Sequence, residues 1–229
     1  MSLLADFFTG RPTEQITQEL LGHELIYQTP AGTMSGWIVE AEAYLGEQDT
    51  AAHAFNGRYT ASNAALYDDP GTIYIYVLRG YYMLDVATQA NGIPQGILIR
   101  GIEPNRGIDL MQTHRDKPLP DLTNGPGKLT AALGLQSKAL NRTPLGAQNL
   151  TITPTVTRHP RQVMATSRVG VSAGSWQDKP LRYTVAGNPF VSGSRKRDWD
   201  RENHGWQMPH YSHKICYNRP IMFKGWLTS

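Results

Sequence analysis

Cysteine is almost absent: Cys216 is the only one in 229 residues, which excludes an intrachain disulfide and any cysteine-rich metal cluster. Long apolar runs are missing as well. No stretch approaches the roughly 18 residues that mark a bilayer-spanning helix, and the opening Met1-Ser2-Leu3-Leu4-Ala5-Asp6-Phe7-Phe8 has neither a charged n-region nor a long h-region. The expectation is a cytoplasmic protein with no membrane partner. Excess charge is small, with a formal net of +3, and it is unevenly placed. Residues 195 to 229 carry seven Lys and Arg against three Asp and Glu, which leaves 15 against 16, a net of −1, in the body. Net charge alone therefore does not establish nucleic-acid binding, and a polyanionic ligand must be held by a local patch. Internal repeats and low-complexity tracts are absent too. What remains is an ordinary globular composition, 40% hydrophobic and 18% charged, in a chain long enough for one large domain or two small ones.

Punctuation by Pro and Gly divides the chain. Pro12 and Gly22 bracket a helix over residues 13 to 21 with Ile16, Leu20 and Leu21 on its apolar side. Strand-like runs at 23 to 29 and 33 to 44 flank a turn at Pro30-Ala31-Gly32. Residues 45 to 71 are polar and irregular, with a short helix near 62 to 67. Residues 72 to 78 and 81 to 87 are rich in β-branched and aromatic side chains and are separated only by Arg79-Gly80, the clearest hairpin in the chain. Tyr74 and Tyr76 share one face of its first strand. A strand at 96 to 101 ends in Ile102-Glu103-Pro104, with helices expected at 105 to 114 and 129 to 133, and further strands at 150 to 157, 168 to 171 and 181 to 185. Asn124-Gly125-Pro126-Gly127-Lys128 is not a Walker loop, because Leu129 follows the lysine and the spacing is short.

The segment Glu40-Ala41-Glu42-Ala43-Tyr44-Leu45-Gly46, followed by His53, carries the most chemistry. In an extended chain alternate residues share a face, so Glu40, Glu42 and Tyr44 point the same way, roughly 6 to 7 Å apart. Such a face sets an acid/base carboxylate beside a stacking ring. It does not suit a glycosidase pair, whose carboxyls must flank the bond from opposite sides.

Together with Ala51-Ala52-His53, Pro70 to Tyr76, Leu98 to Pro104 and Asn124 to Leu129, this segment follows the order and spacing of one family. The chain resembles the alkyladenine (3-methyladenine) DNA glycosylases over roughly residues 3 to 192, with Arg168-Val169-Gly170-Val171, Lys179 to Tyr183 and Gly187 to Ser192 matching the later part. The resemblance implies an α+β single domain: a mostly antiparallel sheet flanked by short helices, with a protruding hairpin. It also implies a monofunctional glycosylase in base excision repair, which flips a damaged purine (3-methyladenine class, hypoxanthine, ethenoadenine) out of duplex DNA and hydrolyses its N-glycosidic bond. Glu42 would activate water and Arg100 would lie beside it, while Tyr44, His53 and Tyr76 wall the base pocket and Lys128 meets the DNA backbone. Glu40 would hold structure. No cofactor or metal is implied, since an alkylated purine is already a good leaving group. The expected enzyme is a monomer that associates with the nucleoid through DNA.

Two positions depart from the family pattern. Arg79 stands at the hairpin tip where a ring is usual, and is expected to act as the wedge that fills the gap left by the flipped base, with Leu78 and Tyr81 as competitors for that role. Asp85 stands where the family has an asparagine; as an ionised acceptor it would welcome the exocyclic amine of guanine and raise the pKa of Glu42. Residues 193 to 229, with Trp199, Trp206, Trp226, His204, His210 and His213, fall outside the resemblance and read as a poorly ordered extension, or else as a single-strand contact surface. The competing reading of the whole chain is a noncatalytic binder of nucleic acid or damaged DNA on the same fold.

Overall fold

The computed structural model describes residues 3–171, 174 and 176–208; the readings placed on His210, His213, Cys216 and Trp226 lie outside the described residues. The elements in chain order are α1 (Leu3–Phe7), α2 (Thr13–Glu19), β1 (Glu24–Thr29), β2 (Gly32–Tyr44), β3 (Ile73–Leu78), β4 (Tyr81–Thr88), β5 (Gln95–Arg106), α3 (Ile108–His114), α4 (Pro126–Ala132), β6 (Leu150–Ile152), β7 (Val163–Thr166) and β8 (Arg182–Val185). The strands form one antiparallel sheet in the order β3-β4-β5-β2-β1-β6, with β8 pairing β2 and β7 pairing β8. This is the α+β fold that the sequence implies.

The 13-residue β2 is its hub. Its first half pairs with β1, its second half with β8, and its other edge with β5. Register shifts against β5 on either side of Glu40 mark an irregularity beside the carboxylates; bulges of this kind re-aim side chains next to functional sites. Ile38, Val39, Ala41, Ala43, Leu84, Val86, Ile97 and Ile99 are fully buried, and burial stabilises each larger side chain by roughly 1.5–3 kcal/mol. Helix α2 adds Ile16, followed by Leu20 and Leu21, all buried as its spacing predicts.

Close approach requires glycine at several positions, Gly22 and Gly127 among them. A Cβ on Gly22, at φ +90°, would meet the Arg158 carbonyl oxygen at 1.8 Å, and one on Gly127 would meet Tyr81 Cβ at 2.8 Å. The Gly-Pro-Gly-Lys sequence thus serves to seat α4 against the start of β4, next to the turn of the β3–β4 hairpin.

The structure corrects four expectations. Strand β5 continues through Pro104, which pairs with Gly36 at a register shift where a missing N–H is tolerated, so α3 starts at Ile108 rather than 105. The strand expected over 150 to 157 is confined to Leu150–Ile152. No strand forms at 168 to 171: the Val169 N–H is taken by Glu42, and the strand that pairs β8 lies upstream at Val163–Thr166. Nor is the start of the final segment a poorly ordered extension or an exposed stacking surface. Trp206 is 3% exposed and donates its indole N–H to Glu103 at 2.7 Å. Trp199 bonds Ser194 at 2.9 Å, and Arg161 ion-pairs with Asp200. A buried indole needs a partner for its one polar atom, and Glu103 supplies it.

Candidate active site

The second half of β2 brings Glu40, Glu42 and Tyr44 together as its alternation predicts, and β5 places Arg100 against both carboxylates. Arg100 is 4% exposed. It donates Nε–H to Glu40 Oε1 at 2.7 Å and sets Nη1 3.3 Å from Glu42 Oε2. Glu40 also accepts from Arg182 Nε at 2.7 Å, Ser192 N at 2.7 Å and Ser192 Oγ at 2.8 Å. Burial alone would push Glu40 up, but Arg100, Arg182 and the Ser192 N–H outweigh it and hold the carboxyl below its ordinary range. Glu40 is therefore an ionised structural clamp joining β2, β5 and β8.

Glu42 is fully buried and differently served. Its Oε1 accepts the Val169 N–H at 2.7 Å, and its Oε2 accepts the Tyr44 hydroxyl at 2.9 Å. Burial pushes its pKa above the ordinary value, opposed in part by Arg100, Val169 and Tyr44 and reinforced by Glu40. An ionised carboxylate has about four lone-pair positions, so these contacts leave capacity for a water.

In front of Glu42 lies a cavity of about 480 Å³, lined by Tyr44, His53, Tyr74, Tyr76, Asp85 and Arg100 among others. That volume is within the range of small-molecule pockets. Glu42 stands immediately behind this wall, touching Tyr44, Arg100 and Val169, which all face the cavity. Tyr74 and Tyr76 are stacked, centroids 5.1 Å apart at 26°, and His53 meets Tyr76 edge-on at 4.5 Å. His53 Nδ1 shares a 2.8 Å hydrogen bond with the Tyr74 hydroxyl. Burial, then Arg58, lowers the His53 pKa, favouring a neutral imidazole. The result is a cleft of flat rings with one carboxylate at its back.

Three contributors escape a reading of the sequence. Tyr74 was visible as a face-mate of Tyr76, but its bond to His53 was not. Val169 acts through its backbone. Arg168, whose side chain is fully buried, forks onto Asp49 at 2.6 and 2.8 Å and lies 4.6 Å from the Tyr44 ring centroid, so it braces that ring.

Asp85 is on the cavity wall, 5% exposed, and its Oδ1 is buried without a hydrogen-bond partner. Burial, then Glu42, pushes this carboxyl well above its ordinary range, which favours the neutral acid over the ionised acceptor expected from the sequence. Glu42 has the Arg100 guanidinium beside it at 3.3 Å, whereas Asp85 makes no ion pair among the described residues.

The hairpin tip overhangs the mouth. Arg79-Gly80 is a two-residue turn with both residues at positive φ, 52° and 82°, the geometry that matches strand twist. Arg79 is exposed, flanked by Leu78 and Tyr81 at 49% and 55% exposure. Lys128 is 2.7 Å from Asn124 Oδ1 and lines a shallow depression with Arg115, Lys117 and Tyr81 on the α4 side of the hairpin. No described helix is long and apolar enough to cross a membrane.

The chain matches the sequence profile described as "Methylpurine-DNA glycosylase (MPG)" over residues 6–189. Proteins bearing the name "Putative 3-methyladenine DNA glycosylase" are similar along nearly their whole length. One from Latilactobacillus sakei is 52% identical over 202 residues, 87% of this chain and 95% of its own. One from Lactiplantibacillus plantarum is 47% identical over 207 residues, covering 90% and 99%, and one from Enterococcus faecalis is 42% identical over 204 residues, covering 88% and 89%. With the profile spanning most of the chain and such relatives aligned end to end, this chain belongs to the methylpurine-DNA glycosylase family, hydrolases of the N-glycosidic bond.

Proposed function

We propose that the protein flips alkylated or deaminated purines (3-methyladenine class, hypoxanthine and ethenoadenine) out of duplex DNA and hydrolyses their N-glycosidic bonds as a monomeric, cofactor-free, monofunctional glycosylase. The observation that carries this reading is Glu42. A buried carboxylate, held by a cation and two donors at the back of a ring-lined cavity, is the group needed to take a proton from water attacking C1′. Its negative charge also favours the positive charge that develops on the sugar. Tyr44, His53 and Tyr76 stack on the extruded base, offsetting part of the few kcal/mol lost on unstacking it. Arg100 keeps Glu42 ionised by proximity. Base release from duplexes carrying hypoxanthine or ethenoadenine, and from methylated duplex DNA, tests the reading. Borohydride that traps a covalent protein–DNA complex would instead indicate an amine nucleophile.

In this reading Arg79 enters the duplex from the hairpin tip, its planar guanidinium occupying the space the base leaves. Arg79→Ala is expected to weaken binding to a lesion duplex by about tenfold in an equilibrium titration, a typical loss of about 1.4 kcal/mol; unchanged affinity would remove the wedge role. Lys128, on the α4 side of the hairpin, neutralises a phosphate. Lys128→Ala should weaken all duplexes alike and make the slope of log K against log salt shallower by about 0.9, one phosphate contact.

A further inference from the structure

Within the cavity one polar group has no counterpart in the machinery described so far. Asp85 projects from β4, where its cross-strand neighbours are Tyr74 on β3 and Leu98 on β5. Its Oδ1 is buried and unpartnered, although phenols and a guanidinium line the same cavity. A buried carboxyl oxygen without a partner is costly, and a catalytic or ligand-binding role is one reason for a fold to keep it. The ionisable groups around it are Glu42 and Tyr44 from β2, Tyr74 and Tyr76 from β3, Arg100 from β5 and His53 from the loop after β2. Arg100 is engaged by Glu40 and Glu42, so Asp85 faces a negative neighbour with no cation bonded to it.

We propose that Asp85 is the proton donor of this pocket, delivering a hydrogen to a ring nitrogen of the bound purine as its glycosidic bond breaks, and so extending excision to neutral bases such as hypoxanthine. This rests on the glycosylase reading above. A cationic base such as 7-methylguanine leaves without help, whereas a neutral purine departs as an anion unless it is protonated. Glu42 and Asp85 divide the two proton transfers because their surroundings differ. Glu42 has Arg100, the Val169 N–H and the Tyr44 hydroxyl to hold it ionised, and Asp85 has no such support. Environments that push two carboxyls apart in this way assign acid and base.

The step balances. The water oxygen bonds to C1′ and gives a proton to Glu42; the C1′–N bond breaks with its electron pair passing to the purine; the purine takes the Asp85 proton. The pair holds one proton before and after, moved from Asp85 to Glu42, and exchange with solvent at the open mouth resets it.

The test is single-turnover release of hypoxanthine and of 7-methylguanine from matched duplexes across pH, by wild type and Asp85→Asn. Wild-type hypoxanthine release is expected to fall about tenfold per pH unit once Asp85 ionises, with no matching limb for 7-methylguanine. Asp85→Asn should lower hypoxanthine release about 100-fold more than 7-methylguanine release and flatten that alkaline limb. Equal losses on both bases, or a limb that survives in the variant, would overturn the donor role. Wild type that releases 7-methylguanine but no hypoxanthine would overturn it while leaving the glycosylase reading intact; release of neither base would remove both. Thermal melts give a readout independent of activity. A raised carboxyl pKa in the fold means that stability present below the unfolded pKa is lost as pH climbs toward the folded value, so Asp85→Asn should melt above wild type near about pH 8 and converge with it near about pH 4. A difference that does not change with pH would contradict a protonated Asp85.

Discussion

Glu42→Gln is expected to lower single-turnover base release by about 10³-fold, within the 10²–10⁴ that a positioned general base supplies, while affinity for the lesion duplex stays within a few-fold. The amide keeps the shape of the side chain and can still accept the Val169 N–H, but it cannot take a proton from water. The pH profile of the wild type carries the same signature. Burial raises the Glu42 pKa against the opposition of Arg100, Val169 and Tyr44, so the acid limb lies above the ordinary glutamate range, with the rate rising as pH climbs through it. The sign for stability is the reverse. A carboxyl with a raised folded pKa contributes stability below its unfolded pKa and loses it as pH rises through the folded value. Glu42→Gln should therefore melt no lower than wild type at neutral pH, which separates lost chemistry from lost fold. A rate within threefold of wild type would remove Glu42 as the base.

The largest effect on stability is expected away from the cavity, at Arg168. Its guanidinium and the Asp49 carboxylate are both fully buried and bonded in a fork at 2.6 and 2.8 Å, and Arg168 also donates to the Ala43 carbonyl at 3.0 Å. Asp49 in turn accepts the backbone N–H groups of Leu45 and Ala51, each at 3.0 Å, which ties the loop after β2 to the strand that carries Glu42. Arg168→Met leaves the Asp49 charge buried without its counterion and should cost about 3–5 kcal/mol, a fall in Tm of about 6–20 °C for a chain of this size. Arg168→Met with Asp49→Asn should recover part of that loss, because the stranded charge is gone, and a double-mutant cycle measures the coupling. Single-turnover release by the Arg168 variant should also fall, since Tyr44 loses its brace and Val169 its anchor. A melting temperature unchanged within error would show the pair to be dispensable.

How much of this was legible depends on how far apart in sequence the interacting residues lie. The β3–β4 hairpin was plain from aromatic and β-branched runs around a two-residue Arg-Gly turn, and strict alternation placed Glu40, Glu42 and Tyr44 on one side of β2. Arg168 and Asp49 are 119 residues apart, and no local pattern joins them; the run from Arg168 to Val171 reads as a strand until the charge and the Val169 N–H are seen to be drawn to Asp49 and Glu42. Pro104 similarly reads as a strand end because the register shift that tolerates it depends on β2. The basic surroundings of Trp206 hid its burial, since its partner Glu103 is 103 residues upstream. Asp85 could be named from sequence, but its preferred charge could not, because that follows from the company of Glu42 and the lack of a bonded cation.

The most direct measurement is made with wild type alone. Duplex DNA methylated with a labelled reagent is incubated with the protein, and the free bases and the strand are recovered separately. Labelled 3-methyladenine is expected in solution, with an unbroken strand that carries abasic sites. Tight, lesion-selective binding with all label retained in the DNA would contradict it and leave a damage-binding protein that does not cut.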